Sequence, residues 1–130
     1  MRRMEYTATS YRTVTPYLVV KDADAALRFL AEAFGGQEQH CSRDGDGRVM
    51  HAEVQVGDSL VMLGQSNDQW KPKEASLYVW VPDVDATYAK ALRAGGRSES
   101  APEDKPYGHR NAGVIDPNGV TWWIGAPVKK

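Results

Sequence analysis

The feature that most constrains this sequence is an approximate internal repeat, in which the second half of the chain follows the first with an offset of 61 residues. Six positions carry identical or similar side chains under this offset: Thr15 with Ser76, Tyr17 with Tyr78, Val20 with Val81, Asp22 with Asp83, Asp24 with Asp85 and Ala25 with Ala86. Such a repeat is typical of a supersecondary unit that occurs twice and packs against its own copy. The 130 residues together have the size of a single domain, 1–130.

The first half predicts a strand, a helix and three further strands. Residues 13–20 are rich in β-branched side chains and predict the first strand. Asp22 is a typical helix N-cap, apolar residues recur at helical spacing through 23–34, and Gly35 can end the helix in a left-handed conformation. The Asp-Gly pairs at 44–47 predict a turn between the first two of the three strands that follow.

The second half predicts the same order of elements. A strand (ASLYVWVP) leads to the N-cap Asp83 and a helix (VDATYAKALRA) that ends at a second Gly-Gly pair. A short strand (RSESA), a loop (PEDKPYG) and two strands on either side of the turn DPNG complete the unit. We therefore predict an α+β fold of two βαβββ modules, at 13–64 and 75–126, preceded by a loose leader at 1–12.

Composition narrows the class of protein. Lys and Arg number 16 against 17 Asp and Glu, a balance that predicts no attraction to nucleic acid or to an anionic membrane. Cys41 is the only cysteine, so no disulfide can form within the chain, as is common in reducing compartments. No apolar run has the length of a signal peptide or of a membrane span. We expect a cytoplasmic protein.

The helix openings VKDADAALRF and VPDVDATYAKAL, with the DPNG turn before the last strand, resemble the vicinal oxygen chelate superfamily, which includes glyoxalase I, bleomycin-resistance proteins and extradiol dioxygenases. The segments VMHAEVQVGDSLVML and YGHRNAGVIDPNGVTWWIG are most similar to its small glyoxalase/bleomycin-resistance-type members. The resemblance covers about residues 13–126 and implies curled mixed sheets around a cavity. It also implies a homodimer.

The same resemblance implies where a metal would bind. Metal-dependent members place ligands, often His and Glu, at the start of each module's first strand and in each module's last strand. These positions correspond to Thr15, Met62 or Val61, Ser76 and Trp123. Imidazole and carboxylate suit Zn, Ni, Fe or Mn, whereas these side chains do not. We therefore expect no metal and no other cofactor.

His51 and Glu53 are the residues that leave another chemistry open. They lie two positions apart on a predicted strand and so face the same side. They are either a structural pair, a relocated metal site or an acid–base couple. His40 is interpreted as a surface residue of a strand, and His109 as part of a solvated loop. No Cys-His-Asp triad spacing, glycine-rich phosphate loop or Cys-x-x-Cys pair is present.

Aromatic residues recur on one face of the predicted strands. Alternation places Tyr17 on that face in the first module, and Tyr78 and Trp80 in the second. In the final strand, Trp123 is expected to join them and Trp122 to point towards the helices. Ordinary core packing would explain the same residues. In the resembled fold, however, this face lines the cavity, and tyrosine and tryptophan rings stack well on planar ligands.

The leading hypothesis is a metal-free protein that sequesters a planar aromatic small molecule, such as an antibiotic, and is not an enzyme. Trp70 and Tyr107 lie in predicted loops that would cover the mouth of the cavity. The predicted ligand-binding residues are Thr15, Tyr17, His51, Glu53, Met62, Ser76, Tyr78, Trp80, Tyr107, Arg110 and Trp123. One alternative is a superfamily enzyme that uses His51 and Glu53. Another is a structural or regulatory domain without a ligand.

Overall fold

The computed structural model describes residues 11–128 and contains ten elements in the predicted order. The first module comprises β1 (Tyr17–Val20), α1 (Ala23–Phe34), β2 (Gln37–Arg43), β3 (Val49–Val56) and β4 (Ser59–Gln65). The second comprises β5 (Ser76–Trp80), α2 (Val84–Arg93), β6 (Arg97–Asp104), β7 (His109–Ile115) and β8 (Thr121–Pro127). The two βαβββ modules are confirmed. The predicted leader lies outside the described residues except for Tyr11 and Arg12.

Each module forms its own four-stranded mixed sheet. The strand order is β1-β4-β3-β2 in the first sheet and β5-β8-β7-β6 in the second. The first strand of each module pairs in parallel with the last, and the remaining pairs are antiparallel. The two sheets are not joined by a strand pair and do not close into a barrel.

The helices begin as the sequence predicts. The Asp22 carboxylate accepts a hydrogen bond from the Ala25 amide at 3.0 Å, and Asp83 accepts one from Ala86 at 3.1 Å. Each bond satisfies an amide that the first helical turn leaves without a partner. Helix α1 ends at Gly35, whose φ of 69° is the left-handed conformation that favours glycine.

Two predicted strand boundaries were wrong, and a proline explains each difference. The strand predicted over 13–20 begins only at Tyr17, since Pro16 has no amide proton to donate to the ladder. The segment predicted to loop after 101 instead continues β6 to Asp104 through Pro102. This strand lies at a sheet edge, where proline is tolerated, and its register shifts between Ser100 and Glu103.

One hydrophobic core joins the modules. Helix α1 packs against α2. The ring centroids of Phe34 in α1 and Trp122 in β8 lie 5.1 Å apart. Trp122 is 2% exposed and donates its indole N–H to the Asp116 carboxylate at 3.0 Å, so it faces the helix layer as predicted. Within residues 11–128, neither helix is long and apolar enough to cross a membrane.

Candidate functional site

The open face of the first sheet carries a row of predicted site residues. Strand register places Tyr17 beside Met62, Met62 beside Glu53, and Glu53 beside His40. The alternate positions, such as Leu63, are buried in the core on the helix side. The row therefore follows from two-residue alternation along strands whose other face is apolar.

Glu53 is the buried centre of a hydrogen-bonded chain on this face. Only 5% of the residue is exposed, and its carboxylate lies 2.7 Å from His51 Nε2 and accepts a 2.7 Å hydrogen bond from the Tyr11 hydroxyl. His51 Nδ1 lies 3.4 Å from the Tyr17 hydroxyl. An ionised Glu53 can only accept, so Nε2 carries a proton. In neutral His51, Nδ1 then accepts from Tyr17, and the chain connects a buried carboxylate to an exposed phenol.

Tyr11 is a residue that sequence reasoning missed. It belonged to the segment interpreted as a leader, which shows no periodicity that would have indicated a contact with β3. Its partner lies 42 positions along the chain. Thr15 lies in the same approach to β1, and its hydroxyl donates to the Arg12 carbonyl at 3.3 Å rather than to another predicted site residue.

On the open face of the second sheet, aromatic rings pack over glycine residues of the neighbouring strands. Trp123 lies over Gly113 and Tyr78 lies over Gly125, so that a β-carbon at either glycine would overlap the ring. The register pairs Trp123 directly with Gly113, whereas Tyr78 is paired with Trp123 and so lies diagonally from Gly125, two residues further along β8. Ser76 accepts a 2.9 Å hydrogen bond from the Trp123 indole, which fixes that ring along the sheet.

Four aromatic rings form a continuous exposed cluster at one end of this face. Ring centroids are 4.8 Å apart for Tyr78 and Trp80, 4.8 Å for Trp80 and His109, and 5.2 Å for Tyr107 and His109. Beneath them, Asn111 is only 4% exposed and donates to the Tyr107 hydroxyl at 3.0 Å and to the Tyr78 hydroxyl at 3.4 Å. We call these four rings the aromatic face.

Arg110 is not brought together with the other predicted residues. Alternation turns it to the opposite side of β7 from His109 and Asn111, where it forms a bidentate ion pair with Asp85 of α2 at 2.8 and 3.0 Å. It also donates to Asp104 at 3.0 Å. These hydrogen bonds raise the pKa of Arg110 and hold the pKa of Asp85 below its ordinary value. Its guanidinium therefore stabilises the sheet against α2.

A cavity of about 680 Å³ lies at the other sheet, where β1 and β4 end and β3 begins. Of the predicted ligand-binding residues, Tyr17 alone lines it, and Trp70 contributes from the loop after β4, as expected for a cover. Asp44, Arg48, Met50 and Lys73 also line the cavity. Sequence reasoning missed these four because they come from a turn, a strand end and a loop.

The residues at the usual metal positions of the resembled family do not fit a metal. The register resolves the ambiguity at β4, since Met62 shares the open face with Tyr17 while Val61 is buried. The four positions then offer two hydroxyls, a thioether and an indole, none of which suits a divalent transition metal. Across residues 11–128, no cluster of three or more His, Cys, Asp and Glu side chains is arranged to hold an ion.

Comparison with known proteins agrees with this architecture. The profile of the Glyoxalase/Bleomycin resistance protein/Dioxygenase superfamily matches residues 8–124. The chain belongs to this superfamily. Its relatives include an uncharacterized protein of Mycobacterium bovis, 32% identical over 128 residues, which cover 90% of this chain and 84% of that protein. An uncharacterized protein of Mycobacterium tuberculosis strain H37Rv is also 32% identical, with 75% of its length covered.

Several solved structures share the fold at low sequence identity. TioX from Micromonospora sp. ML1 has a TM-score of 0.76 at 24% identity, covering 90% of this chain and 99% of that one. TnmS3, described as an antibiotic binding protein from Streptomyces sp. CB03234, has a TM-score of 0.70 at 22% identity, with coverages of 91% and 100%. A glyoxalase-related enzyme from Fulvimarina pelagi has a TM-score of 0.71 at 19% identity, and the match covers 88% of this chain and 87% of that one. The fold therefore occurs in both binding proteins and proteins described as enzymes.

Proposed function

We propose that this superfamily member captures a planar aromatic small molecule without a metal and without chemical change. The observation that carries the proposal is the aromatic face, where Tyr78, Trp80 and Tyr107 are 39%, 56% and 63% exposed. Contiguous exposed aromatic surface on a soluble protein is a common mark of an interaction site. The buried Asn111 amide holds the Tyr107 hydroxyl at 3.0 Å, so little freedom of that side chain would be lost when a ligand stacks on it.

The energetics of such a site are adequate for capture. An aromatic contact contributes about 0.5–1.5 kcal/mol beyond the area it buries. Micromolar affinity requires about −8 kcal/mol, so two or three ring contacts together with apolar burial would reach it. An antibiotic is a fitting ligand class, because TnmS3, an antibiotic binding protein, shares the fold. Trp123 and Tyr17 would extend the ring surface along each sheet.

We also propose that the protein is a cytoplasmic homodimer with no nucleic-acid or membrane partner. An exposed ring surface on each copy gives a second copy apolar area to cover, and a stable interface buries roughly 1,200 Å² or more in total. Sedimentation at micromolar concentration should then give about twice 14.4 kDa. A clean monomer would contradict the dimer, and a Trp80→Ala protein that becomes monomeric would assign the aromatic face to the interface.

Titration of a panel of planar aromatic compounds tests the capture function. Binding should quench tryptophan fluorescence with saturation, and Trp80→Ala should weaken it about tenfold or more. Leu92→Ala is the matched control, since it removes an exposed apolar side chain from α2. If no compound saturates, or if both variants bind like the parent, the aromatic face is not a capture site.

The alternative function is an acid–base enzyme centred on Glu53, and the 2.7 Å contact with His51 Nε2 favours it. In that function, Glu53 would orient His51, and proton transfer would pass through His51 and Tyr17. Turnover of a ligand that is lost in His51→Gln while binding survives would support this function. Near-stoichiometric Zn, Ni, Fe or Mn in untagged protein, lost in the same variant, would overturn metal-free capture in favour of a relocated metal site.

A further inference from the structure

The cavity at the first sheet has a wall that is fixed in advance. Trp70 is 58% exposed, yet its backbone is held in a tight turn: its amide donates to Asn67 Oδ1 at 2.7 Å, and its carbonyl accepts from the Asn67 amide at 2.8 Å. The loop is bonded to β1 on both sides of this turn. The Ser66 amide donates to the Val20 carbonyl, and the Lys73 amide donates to the Val19 carbonyl. The backbone that carries this large, exposed ring is therefore held in place, at a cavity that Tyr17 also lines.

The charges around the cavity are the second observation. Arg48 and Lys73 line it together with a single acid, Asp44. Asp44 Oδ1 already accepts the amides of Asp46 and Arg48, at 2.9 and 3.0 Å, and so belongs to the β2–β3 turn. Arg48 has only a 4.0 Å contact with the highly exposed Asp46. Within residues 11–128, Lys73 has no ion pair and no side-chain hydrogen bond.

We infer that this cavity selects an aromatic anion, with the ring beside Tyr17 and Trp70 and a carboxylate or sulfonate beside Arg48 and Lys73. The inference rests on the proposed capture of planar aromatic molecules, places a binding site at the first sheet that is separate from the aromatic face, and specifies the ligand class of that site. The cavity volume of about 680 Å³ leaves ample room for a fused ring system. Cationic ligands are disfavoured by the same two charges, and neutral ones gain only the ring contacts.

Three naphthalenes of similar size, one anionic, one neutral and one cationic, test the inference: 2-naphthoate, 2-naphthalenemethanol and 2-naphthylmethylamine. Binding is followed at low salt by ligand-observed NMR of the naphthalene protons, which can be measured in every variant, and the Trp70 indole N–H signal reports the location of the probe in proteins that keep Trp70. Exposed ion pairs are each worth a factor of about 1.5 to 5, so we expect naphthoate to bind about two- to tenfold more tightly than the alcohol and the amine least tightly. In 1 M salt, where the screening length falls to about 3 Å, this order should largely collapse.

Variants locate the selectivity. The double variant Arg48→Gln/Lys73→Gln should bring naphthoate to the affinity of the alcohol and leave the alcohol unchanged. The matched control, Arg93→Gln/Lys71→Gln, removes two exposed cations that do not line the cavity and should keep the preference. Trp70→Ala should weaken all three probes, because the ring wall is lost for each.

The outcomes separate this inference from the function on which it rests. Equal affinity for the acid and the alcohol, or a preference that survives the double variant, overturns anion selection while capture of aromatic compounds stands. If Trp70→Ala leaves probe binding unchanged and Trp80→Ala abolishes it, the ligand binds on the aromatic face, and the assignment to the cavity is overturned. No binding of any of the three, combined with no hit in the broader panel, overturns both.

Discussion

The open faces of the two sheets share one frame. In each, a tyrosine of the first strand, Tyr17 or Tyr78, lies over a glycine of the parallel last strand, Gly64 or Gly125. A β-carbon at Gly64 would come within 3.0 Å of the Tyr17 hydroxyl, and one at Gly125 would overlap the Tyr78 ring. The tyrosine is held in the same way in both modules, and it comes from positions related by the repeat.

The antiparallel neighbour strand completes this frame with a polar side chain. His51 lies 3.4 Å from the Tyr17 hydroxyl, and Asn111 lies 3.4 Å from that of Tyr78. Imidazole can accept or donate a proton within the physiological pH range, whereas an amide can only form hydrogen bonds. The repeat therefore preserves the position of a polar partner while changing its chemistry.

The next register row is where the modules diverge. The first sheet pairs Met62 with Glu53, and the second pairs Trp123 with Gly113. An indole needs the space that glycine leaves, whereas methionine leaves room beside it for a carboxylate. This single exchange gives the first sheet a buried acid and the second a ring surface. The two equivalent sheet faces thus differ in chemistry through one pair of facing residues.

The largest expected effect distinguishes the two tryptophans of β8. Trp122→Ala should lower the free energy of unfolding by about 3–5 kcal/mol, because the ring is buried against Phe34 and the core cannot fully close the space that the ring leaves. That is a large part of the 5–15 kcal/mol by which a typical domain is stable. Trp123→Ala opens an already accessible face and should cost less than half as much. Urea unfolding measures both.

Trp123→Met is the control for this comparison, since it reproduces the residue found in the first module. It should retain most of the stability and lose ring stacking, which titration with a planar aromatic compound would show. If Trp123→Ala destabilises as strongly as Trp122→Ala and leaves binding unchanged, Trp123 is ordinary core and the two faces differ less than their residues indicate.

The shared glycines should respond differently to the same change. A β-carbon at Gly64 meets the Met50 carbonyl at 2.8 Å, and backbone can move aside only by distorting the sheet. Gly64→Ala should therefore cost about 1–3 kcal/mol. At Gly125 the close atoms belong to the exposed Tyr78 ring, which can turn away, so Gly125→Ala should cost less than about 1 kcal/mol. Equal unfolding midpoints would contradict this distinction.

A smaller effect concerns the hairpin turns, which are not equivalent. In the second module, Asn118 accepts from the Asp22 amide at 2.9 Å and donates to the Asp22 carbonyl at 2.8 Å, which attaches the turn to the start of α1. Gly57 occupies the matching position of the first module and has no side chain. Asn118→Ala should cost about 1–2 kcal/mol by removing two exposed hydrogen bonds.

Denaturant unfolding combined with amide hydrogen exchange checks the Asn118 prediction. Exchange at the first turn of α1 should accelerate, while the exchange of β2 and β3 amides should not change. Asn67→Ala is the matched control, because it removes another side chain that bonds to backbone, but entirely within its own loop. If both variants leave α1 equally protected, the turn does not couple the modules.

How much of this molecule the sequence could predict depends on the range of the interactions. The two modules, the N-caps Asp22 and Asp83 and the tryptophan orientation follow from local rules and a repeat. Two-residue alternation along the last strands also implies that Arg110 and His109 face opposite sides, but the predicted ligand-binding set did not take this into account. The contact of Tyr11 with Glu53 depends on distant segments meeting, and no local pattern encodes it.

The cavity shows the same limit. Tyr17 was predicted to line a cavity because strand alternation places it on the face that lines the cavity in the resembled fold, and Trp70 was predicted to cover the mouth because it lies in a loop. Arg48 and Lys73 were not, because an exposed cation in a turn or loop is ordinary until the fold places two of them at one opening. The sequence therefore led to the hypothesis of a planar ligand, and the structure was needed to propose that such a ligand is an anion.

The smallest expected effect concerns ion pairs that the modules build differently around equivalent acids. Asp24 forms its ion pair with Arg43 of β2, whereas Asp85 forms its ion pair with Arg110 of β7. Arg110 also pairs with Asp104. These hydrogen bonds hold the pKa of each helix carboxylate below its ordinary value of 3.8. A carboxylate with a depressed folded pKa adds stability that is complete above the unfolded pKa and is lost as pH falls through the folded one.

Arg110→Gln should therefore lower the melting temperature by a small, constant amount between pH 5 and 8, and the difference from the parent should shrink as pH falls below 3.8 towards the depressed folded pKa of Asp85. Arg43→Gln should behave likewise with a smaller amplitude, since Arg43 serves one carboxylate and Arg110 serves two. Both pairs are exposed, so 1 M salt should reduce both effects. Melting curves across this pH range at low salt measure the difference. A loss that persists unchanged at pH 2.5 would mean that the arginine stems contribute by packing rather than by charge.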